Sequence, residues 1–266
     1  MVGPPPTLLE CFDEEHPHYL TERKAEMQAR IASPSSQITY DQPPPRILIF
    51  EPVDTWLHEA HIFLRSRRAR ENDQLNDGRI PLTEPCSIAT EQDVVKLSTL
   101  YIIHPVMIAI QARFPGSLTQ FSESPAKPMR IDLTFNSLSR FAAKRVVMIM
   151  EYKRCWYIHE EEFFDAMCYN EDEIDEALDK LEYYGEESTL IKGTNAYWFV
   201  KQITAYVVAT GCRYVALCDY EHLILIRFNC FRLETAEVTV VPRHCFRKAL
   251  LGFMFAACMA AGMIIG

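Results

Sequence analysis

The sequence predicts an α/β protein in which helices flank a mixed central sheet. Two observations predict it: apolar runs of strand length occur at 145–153, 214–218 and 223–228, and helical patterns lie between and before them. The first run contains VVMIM, five consecutive apolar residues, which is typical of a central strand covered on both faces. Hydrophobic residues make up 48% of the 266 residues and charged residues 24%, which favours a globular fold with its own core.

The composition excludes several classes of function. Glycine occurs only 9 times, and neither GxGxxG nor GxxxxGKS/T is present, so we expect no glycine-rich phosphate loop. The nine cysteines form no CxxC pair, which indicates reduced, mostly buried thiols. The first thirty residues are acidic in part and lack the apolar segment of a secretory signal. We therefore expect an intracellular protein, nuclear or cytoplasmic.

The amino-terminal part is rich in proline. Nine of the sixteen prolines lie in the first 52 residues, among polar and charged side chains. Because such a composition resists packing, we predict a disordered proline-rich arm over 1–45, with one short helix near 20–31.

A helical lead-in is predicted over 46–84. RILIF (46–50) fits a short strand, and Asp54 fits the N-cap of a helix over 55–70. This helix ends in the basic sequence RSRRAR (65–70). We favour a solvated helix end there over a nuclear-localisation or phosphate-contacting patch.

The main domain is predicted over 85–248. Its first helix spans 90–111, and Pro105 is expected to kink or split it. A loop leads to the strand MRIDLTF (129–135), which is followed by the central strand. A helix over 195–209 then precedes the last two strands.

Polar side chains stand where a buried strand should be apolar. Glu151 and Lys153 end the central strand two residues apart, so they project from the same face of the sheet. Asp132 lies in the preceding strand and comes beside them if the two strands pair. Two carboxylates at a strand end suit Mg²⁺ or Mn²⁺, and a neighbouring lysine can orient a metal-bound water. This is the chemistry of phosphodiester hydrolysis.

The order of these residues resembles the PD-(D/E)XK nuclease superfamily, in particular the nuclease-like domains of uncharacterised fungal proteins. Asp132 matches the first acidic position and Glu151-Tyr152-Lys153 the ExK signature. Gln202 matches the glutamine of a later helix, with Tyr206 one turn further along. The resemblance covers 87–228, with Ile131 in place of the proline before the aspartate.

The resemblance implies a restriction-endonuclease-like sheet and a metal-dependent nuclease acting on DNA or RNA. Asp132 and Glu151 would hold Mg²⁺ or Mn²⁺, and Glu91 is the best match to a further glutamate ligand that some members use. Lys153 would position the attacking water, and Gln202 would orient that water or the phosphate.

A strongly acidic segment leaves a second interpretation open. Residues 160–187 contain thirteen Asp or Glu and one Lys, a local charge of −12. The chain as a whole carries −9, so the remainder carries +3, and nucleic-acid binding stays compatible with the charge. Alternatively, the same fold could be a catalytically silent interaction module that binds a protein partner through this segment.

The apolar carboxyl terminus also has two interpretations. Residues 249–266 carry no charge and follow Arg247 and Lys248. This length is at the lower limit for a tail anchor in a membrane. We favour a buried helix packed on the sheet, because five alanines and three glycines give only modest hydrophobicity.

Overall fold

The structure, a computed structural model, describes residues 6–21, 24–32, 37–80, 87–124, 130–138, 145–229 and 233–263. The strands are β1 (Leu20–Thr21), β2 (Ile47–Phe50), β3 (Ser87–Ile88), β4 (Leu118–Ser124), β5 (Ile131–Ser137), β6 (Arg145–Tyr152), β7 (Met167–Cys168), β8 (Tyr214–Cys218), β9 (Leu223–Phe228) and β10 (Thr235–Val241). The α-helices are α1 (Lys24–Gln28), α2 (Gln37–Asp41), α3 (Val53–Leu64), α4 (Arg67–Arg70), α5 (Asp73–Asp77), α6 (Glu91–Ser98), α7 (His104–Arg113), α8 (Glu160–Phe164), α9 (Glu171–Tyr184), α10 (Asn195–Thr210) and α11 (Phe246–Ala260).

Eight strands form one mixed sheet, which confirms the predicted class of fold. Their order is β4-β5-β6-β8-β9-β10-β2-β7, and β1 pairs separately with β3. β6 and β8 are parallel neighbours, with Tyr152 opposite Cys218 where the two strands end. A hydrogen bond of 2.9 Å from Lys153 N to Cys218 O extends this ladder. The side chains that follow both strands therefore meet at one end of the sheet.

Helices cover both faces of the sheet, and β6 contributes apolar side chains to both of the resulting layers. Ile149 packs in the layer that contains α10. Met148 and Met150 pack in the opposite layer, which contains α3, α6, α7 and α11. The run VVMIM thus contributes to two cores at once, as a strand covered on both faces must.

The apolar carboxyl-terminal segment forms α11, which is buried within the fold. A Cβ added at Gly252 would lie 1.9 Å from the carbonyl oxygen of Trp56, so α11 and α3 cross in close contact at this glycine. The ring of Phe253 meets Trp56 edge-on, with centroids 5.0 Å apart. This is the arrangement that the buried-helix interpretation expects. Among the described helices, only Glu91–Arg113 has the length and apolarity of a membrane span, and 61% of its apolar window is buried in the fold.

The helix that was expected to kink at Pro105 is divided by a π-helical turn. This turn, Thr99–Ile103, joins α6 to α7, of which Pro105 is the second residue. Proline lacks an amide hydrogen and its ring collides with the carbonyl four residues earlier. A wider turn relieves that collision while the helix axis continues.

The amino-terminal arm differs from the sequence expectation. We predicted disorder over 1–45, yet the described residues 6–21 fold onto the domain, where Leu8 and Phe12 are buried in the same core as α11. His16 is 2% exposed. Proline restricts the backbone but does not prevent the apolar side chains between prolines from being buried. Among the described residues of the predicted helix near 20–31, Lys24–Gln28 are helical, as α1, and Leu20–Thr21 form β1.

Other predicted boundaries also change. The helix expected over 55–70 ends at Leu64, and α4 begins after an N-cap at Ser66. The structure does not separate the lead-in 46–84 from the main domain 85–248, because β2 pairs with β10 and β7 in the same sheet. β4 and β10 were not predicted, and the acidic segment contains α8, β7 and α9.

Candidate active site at the ends of two neighbouring strands

The centre of the site is Glu151, a buried carboxylate near the end of β6. Its side chain is 3% exposed, in a strand that otherwise buries apolar residues. Oε1 accepts hydrogen bonds from Lys153 Nζ at 2.7 Å and from Gln202 Nε2 at 2.9 Å. Lys153 Nζ also donates to Gln202 Oε1 at 2.9 Å, so the three side chains form a closed triangle. β6 supplies two of its members and α10 the third.

Tyr206 fixes the orientation of the Gln202 amide. It lies one turn along α10, and its hydroxyl accepts from Gln202 Nε2 at 2.5 Å and donates to Arg130 O at 2.8 Å. Burial raises the pKa of Tyr206 well above its ordinary value, and the nearby Glu151 carboxylate raises it further. The phenol therefore stays protonated and can donate to the carbonyl.

Asp132 is joined to the site through the backbone. Its Oδ2 accepts a 2.9 Å hydrogen bond from Tyr152 N, the residue between Glu151 and Lys153. This contact follows from the antiparallel pairing of β5 with β6. Asp132 thus lies beside the ExK tripeptide, as the sequence predicted.

One oxygen of Glu151 has no hydrogen-bond partner among the described residues. Within the described part of the chain, Oε2 is buried and accepts no hydrogen bond. Burial raises the pKa of Glu151 to about 7, Lys153 opposes this shift, and Asp132 and Glu91 add to it. Because an unpaired buried oxygen is unfavourable, Oε2 is the atom at which a proton or a cation is best held.

Glu91 lies near the site but outside its hydrogen-bonded triangle. It is the first residue of α6, behind the N-cap Thr90. Desolvation raises the pKa of its carboxyl, which the charges of Lys153 and Asp132 also influence. The structure therefore brings Glu91 within electrostatic reach of the predicted site, and no described hydrogen bond connects it to the other members.

The carboxylates of the site suit a divalent cation that takes few protein ligands. Within the described ranges, no group of three or more His, Cys, Asp or Glu side chains is arranged to hold a metal. Mg²⁺ commonly uses only one or two carboxylates and completes its shell with waters and phosphate oxygens. Asp132 and Glu151, with the unpartnered Oε2, fit such a site.

A second buried carboxylate, Asp219, follows the neighbouring strand β8. It is fully buried, and it accepts hydrogen bonds from the backbone N–H groups of Ile158, Glu221 and His222. The His222 ring lies 3.0 Å from both Asp219 oxygens. Burial lowers the pKa of His222, but the hydrogen bond and charge of Asp219 outweigh it and raise the pKa above its ordinary value.

The sequence interpretation treated this region only as a turn. The signal was nevertheless present, because an aspartate that follows a buried strand and precedes two turn residues commonly bonds to the N–H groups that come after it. Arg154 and Trp156, which follow the ExK tripeptide, were also overlooked. They lie in the loop between β6 and α8.

Comparison of the chain with protein-family models, with curated proteins and with solved structures finds no match in any of the three.

Proposed function

We propose that the chain is a divalent-metal-dependent nuclease of the PD-(D/E)XK type, with a restriction-endonuclease-like arrangement of its sheet. Asp132 and Glu151 would hold Mg²⁺ or Mn²⁺, with Glu91 as a further ligand. When bound, such an ion supplies charge stabilisation at the phosphate and a more acidic water. The substrate class is nucleic acid, DNA or RNA.

The observation that carries the proposal is the state of Glu151. A buried carboxylate with one oxygen engaged by Lys153 and Gln202 and the other unpartnered is unfavourable for folding alone. Strained or unsatisfied polar groups of this kind concentrate at functional sites. Asp132, close enough to influence its pKa, adds a second negative charge that a cation would compensate.

The chain's own residues have separable roles in this reaction. Lys153 Nζ uses two of its three hydrogens within the triangle, so one remains for a phosphate oxygen or a water. Gln202 holds both Lys153 and Glu151, which fixes the direction of the ammonium group. Tyr206 in turn prevents the amide from flipping, because its hydroxyl accepts from Nε2.

The test is Mn²⁺- and Mg²⁺-dependent cleavage of mixed DNA and RNA by the full chain. We expect activity in the wild type and its loss, by at least about 100-fold, in Lys153→Ala and Glu151→Gln, as is common when a positioned polar group is removed from an active site. Glu176→Gln on α9 is the matched control, since this glutamate is 71% exposed and should leave activity unchanged.

Metal binding provides the second arm of the test. Mn²⁺ titration of the wild type should show a site that is lost when Asp132 and Glu151 are both changed to alanine. Equal cleavage by the wild type and the Lys153 and Glu151 variants, or equal Mn²⁺ affinity with and without both carboxylates, would contradict the proposal.

A catalytically silent interaction module is the second candidate, and one surface favours it. α9 exposes an acidic face, and a cavity of about 280 Å³ lies between it and β7, lined in part by Glu173, Glu176 and Lys180. Tyr183 on the same helix is 82% exposed. A basic protein segment would complement this surface. In that case the chain would bind Mn²⁺ no better than its double-alanine variant.

A further inference from the structure

The loop after the candidate active site holds a tryptophan in an unusual conformation. Trp156 has a φ of 66°, in the left-handed region that a bulky side chain rarely adopts. Such outliers persist only when the surroundings enforce them, and they concentrate at ligand-binding positions. Trp156 lies three residues beyond Lys153, so their Cα atoms are at most about 11 Å apart.

The indole ring is held by two neighbouring side chains. Its Nε1 donates to Thr21 Oγ1 at 3.1 Å. The His222 ring meets it edge-on, with an interplanar angle of 77° and centroids 5.1 Å apart. The residue is half-buried. These contacts hold the ring in place, and neither is a parallel stack on its face.

One face of the ring is covered by a cation. Lys24 Nζ lies 3.3 Å from the ring centroid, in a cation–π contact. A lysine side chain is long and flexible, and an exposed cation–π contact is weak enough for a ligand to displace it. The face is thus able to receive either a positive group or a flat aromatic one.

Arg154 adds a positive charge to the same loop, two residues before Trp156. It is exposed, and within the described ranges its guanidinium has no assigned hydrogen bond or ion pair. Burial raises the pKa of Glu91, and the charge of Arg154 is one of those that oppose this shift, so its charge acts on the site. A guanidinium in this position suits a phosphate oxygen pair.

We propose that the substrate is a single-stranded nucleic acid, with one of its bases stacked on Trp156 and a backbone phosphate bound by Arg154. This inference rests on the proposed nuclease function and narrows its substrate class. An aromatic face combined with a cation is how proteins bind single strands without reading sequence. A duplex offers no free base face, since each base is stacked within the helix, and would have to unstack a base to make the same contact.

The experiment measures binding without cleavage, in EDTA and without added metal. Fluorescence anisotropy follows a labelled oligothymidylate, either single-stranded or paired with oligoadenylate, and the full chain is the binding protein. We expect the single strand to bind at least about tenfold more tightly than the duplex. Trp156→Leu should weaken single-strand binding about tenfold and leave duplex binding unchanged, and Trp156→Phe should restore most of the loss.

Two matched controls separate a site from a general effect. Arg154→Ala should weaken binding and reduce its salt dependence, whereas Arg145→Ala, at the opposite end of β6, should not. Tyr183→Leu removes an exposed aromatic residue from the acidic helix and should have no effect. Arg154 is exposed, so its variant remains informative even if the Trp156 variants fold poorly.

The outcomes distinguish this proposal from the nuclease proposal. Equal affinity for single strand and duplex, or an Arg154→Ala variant that binds as the wild type does, would overturn the single-strand inference. Selective single-strand binding without cleavage in Mn²⁺ would support it and contradict the nuclease function instead. Cleavage of duplex in preference to single strand would support the nuclease function and contradict the single-strand inference.

Discussion

Two buried carboxylates lie at the same end of two neighbouring strands, β6 and β8. They differ in how many hydrogen bonds their oxygens accept. Asp219 follows β8 and accepts hydrogen bonds from three backbone N–H groups, with the His222 ring against both of its oxygens. Glu151, near the end of β6, concentrates its two described donors on Oε1 and leaves Oε2 without a partner. Both are almost inaccessible to solvent.

The difference shows which carboxylate serves the fold and which retains binding capacity. The Asp219 oxygens hold the β8–β9 turn to the loop at Ile158, so their hydrogen-bonding capacity is used in tying these segments together. Glu151 keeps an oxygen that folding does not use. Burial at a strand end is therefore no sign of function in itself, and the proposed site rests instead on the unsatisfied oxygen.

Removing the fully satisfied carboxylate should have the largest effect on stability. Asp219→Ala leaves three backbone N–H groups without an acceptor, and the His222 ring loses the carboxylate that raises its pKa. We therefore expect the free energy of unfolding to fall by about 3–5 kcal/mol. Urea denaturation measures it. Asp179→Ala, on the exposed face of α9, is the control and should change stability by less than about 0.5 kcal/mol. A loss below about 1 kcal/mol in Asp219→Ala would remove the contrast between the two carboxylates.

Changing the unsatisfied carboxylate should instead alter the pH dependence of stability. The pKa of Glu151 is raised to about 7 in the folded chain against an ordinary value of 4.5, so the folded state binds the extra proton. Its contribution is present below about pH 4.5 and is lost as pH rises to about 7, a loss of about 3 kcal/mol. Glu151→Gln cannot titrate and should lack this decline.

The measurement is the urea midpoint at about pH 5 and about pH 8 for the wild type and Glu151→Gln. Each midpoint is converted to a free energy of unfolding with one common denaturant slope. Comparing the two pH values within each variant cancels any constant effect of the amide. Glu176→Gln, on the exposed face of α9, leaves Glu151 in place and should show the wild-type dependence. If Glu151→Gln declines as steeply as the wild type, the titrating group lies elsewhere and the pKa assignment is wrong.

Parts of this architecture were readable from the sequence, because they depend on local patterns. The strands β8 and β9 begin and end where their apolar runs do. By contrast β4, LTQFSES, is a polar strand at the edge of the sheet whose apolar content is too low to predict a strand. β10 was also missed, although TAEVTVV alternates in the manner of a strand with one face buried.

The candidate site was predicted in its members but not in its energetics. The structure joins Asp132 to the backbone of the ExK tripeptide and links Glu151, Lys153 and Gln202 directly. Which oxygen lacks a partner depends on the packing of α10 against β6, and no pattern in the sequence encodes it. Asp219 resembled an ordinary turn residue for the same reason, since its hydrogen bond with Ile158 and the pairing of the preceding strand β8 with β6 join segments distant in the chain.

The smallest predicted effect concerns the hydroxyl that supports the unsatisfied carboxylate. Tyr206→Phe removes one acceptor for Gln202 Nε2 and one donor to Arg130 O. The lost bonds are buried but uncharged, so we expect a loss of about 1 kcal/mol in urea denaturation. Tyr197→Phe on the same helix is the matched control, because its hydroxyl donates to Glu187, whose side chain is 44% exposed, and water can replace it. If both phenylalanine variants lose the same stability, the Tyr206 hydroxyl contributes no more than one bonded to an exposed carboxylate. A larger loss at Tyr206 alone would show that the hydrogen bonds around Glu151 are maintained by α10 despite the unpartnered oxygen at their centre.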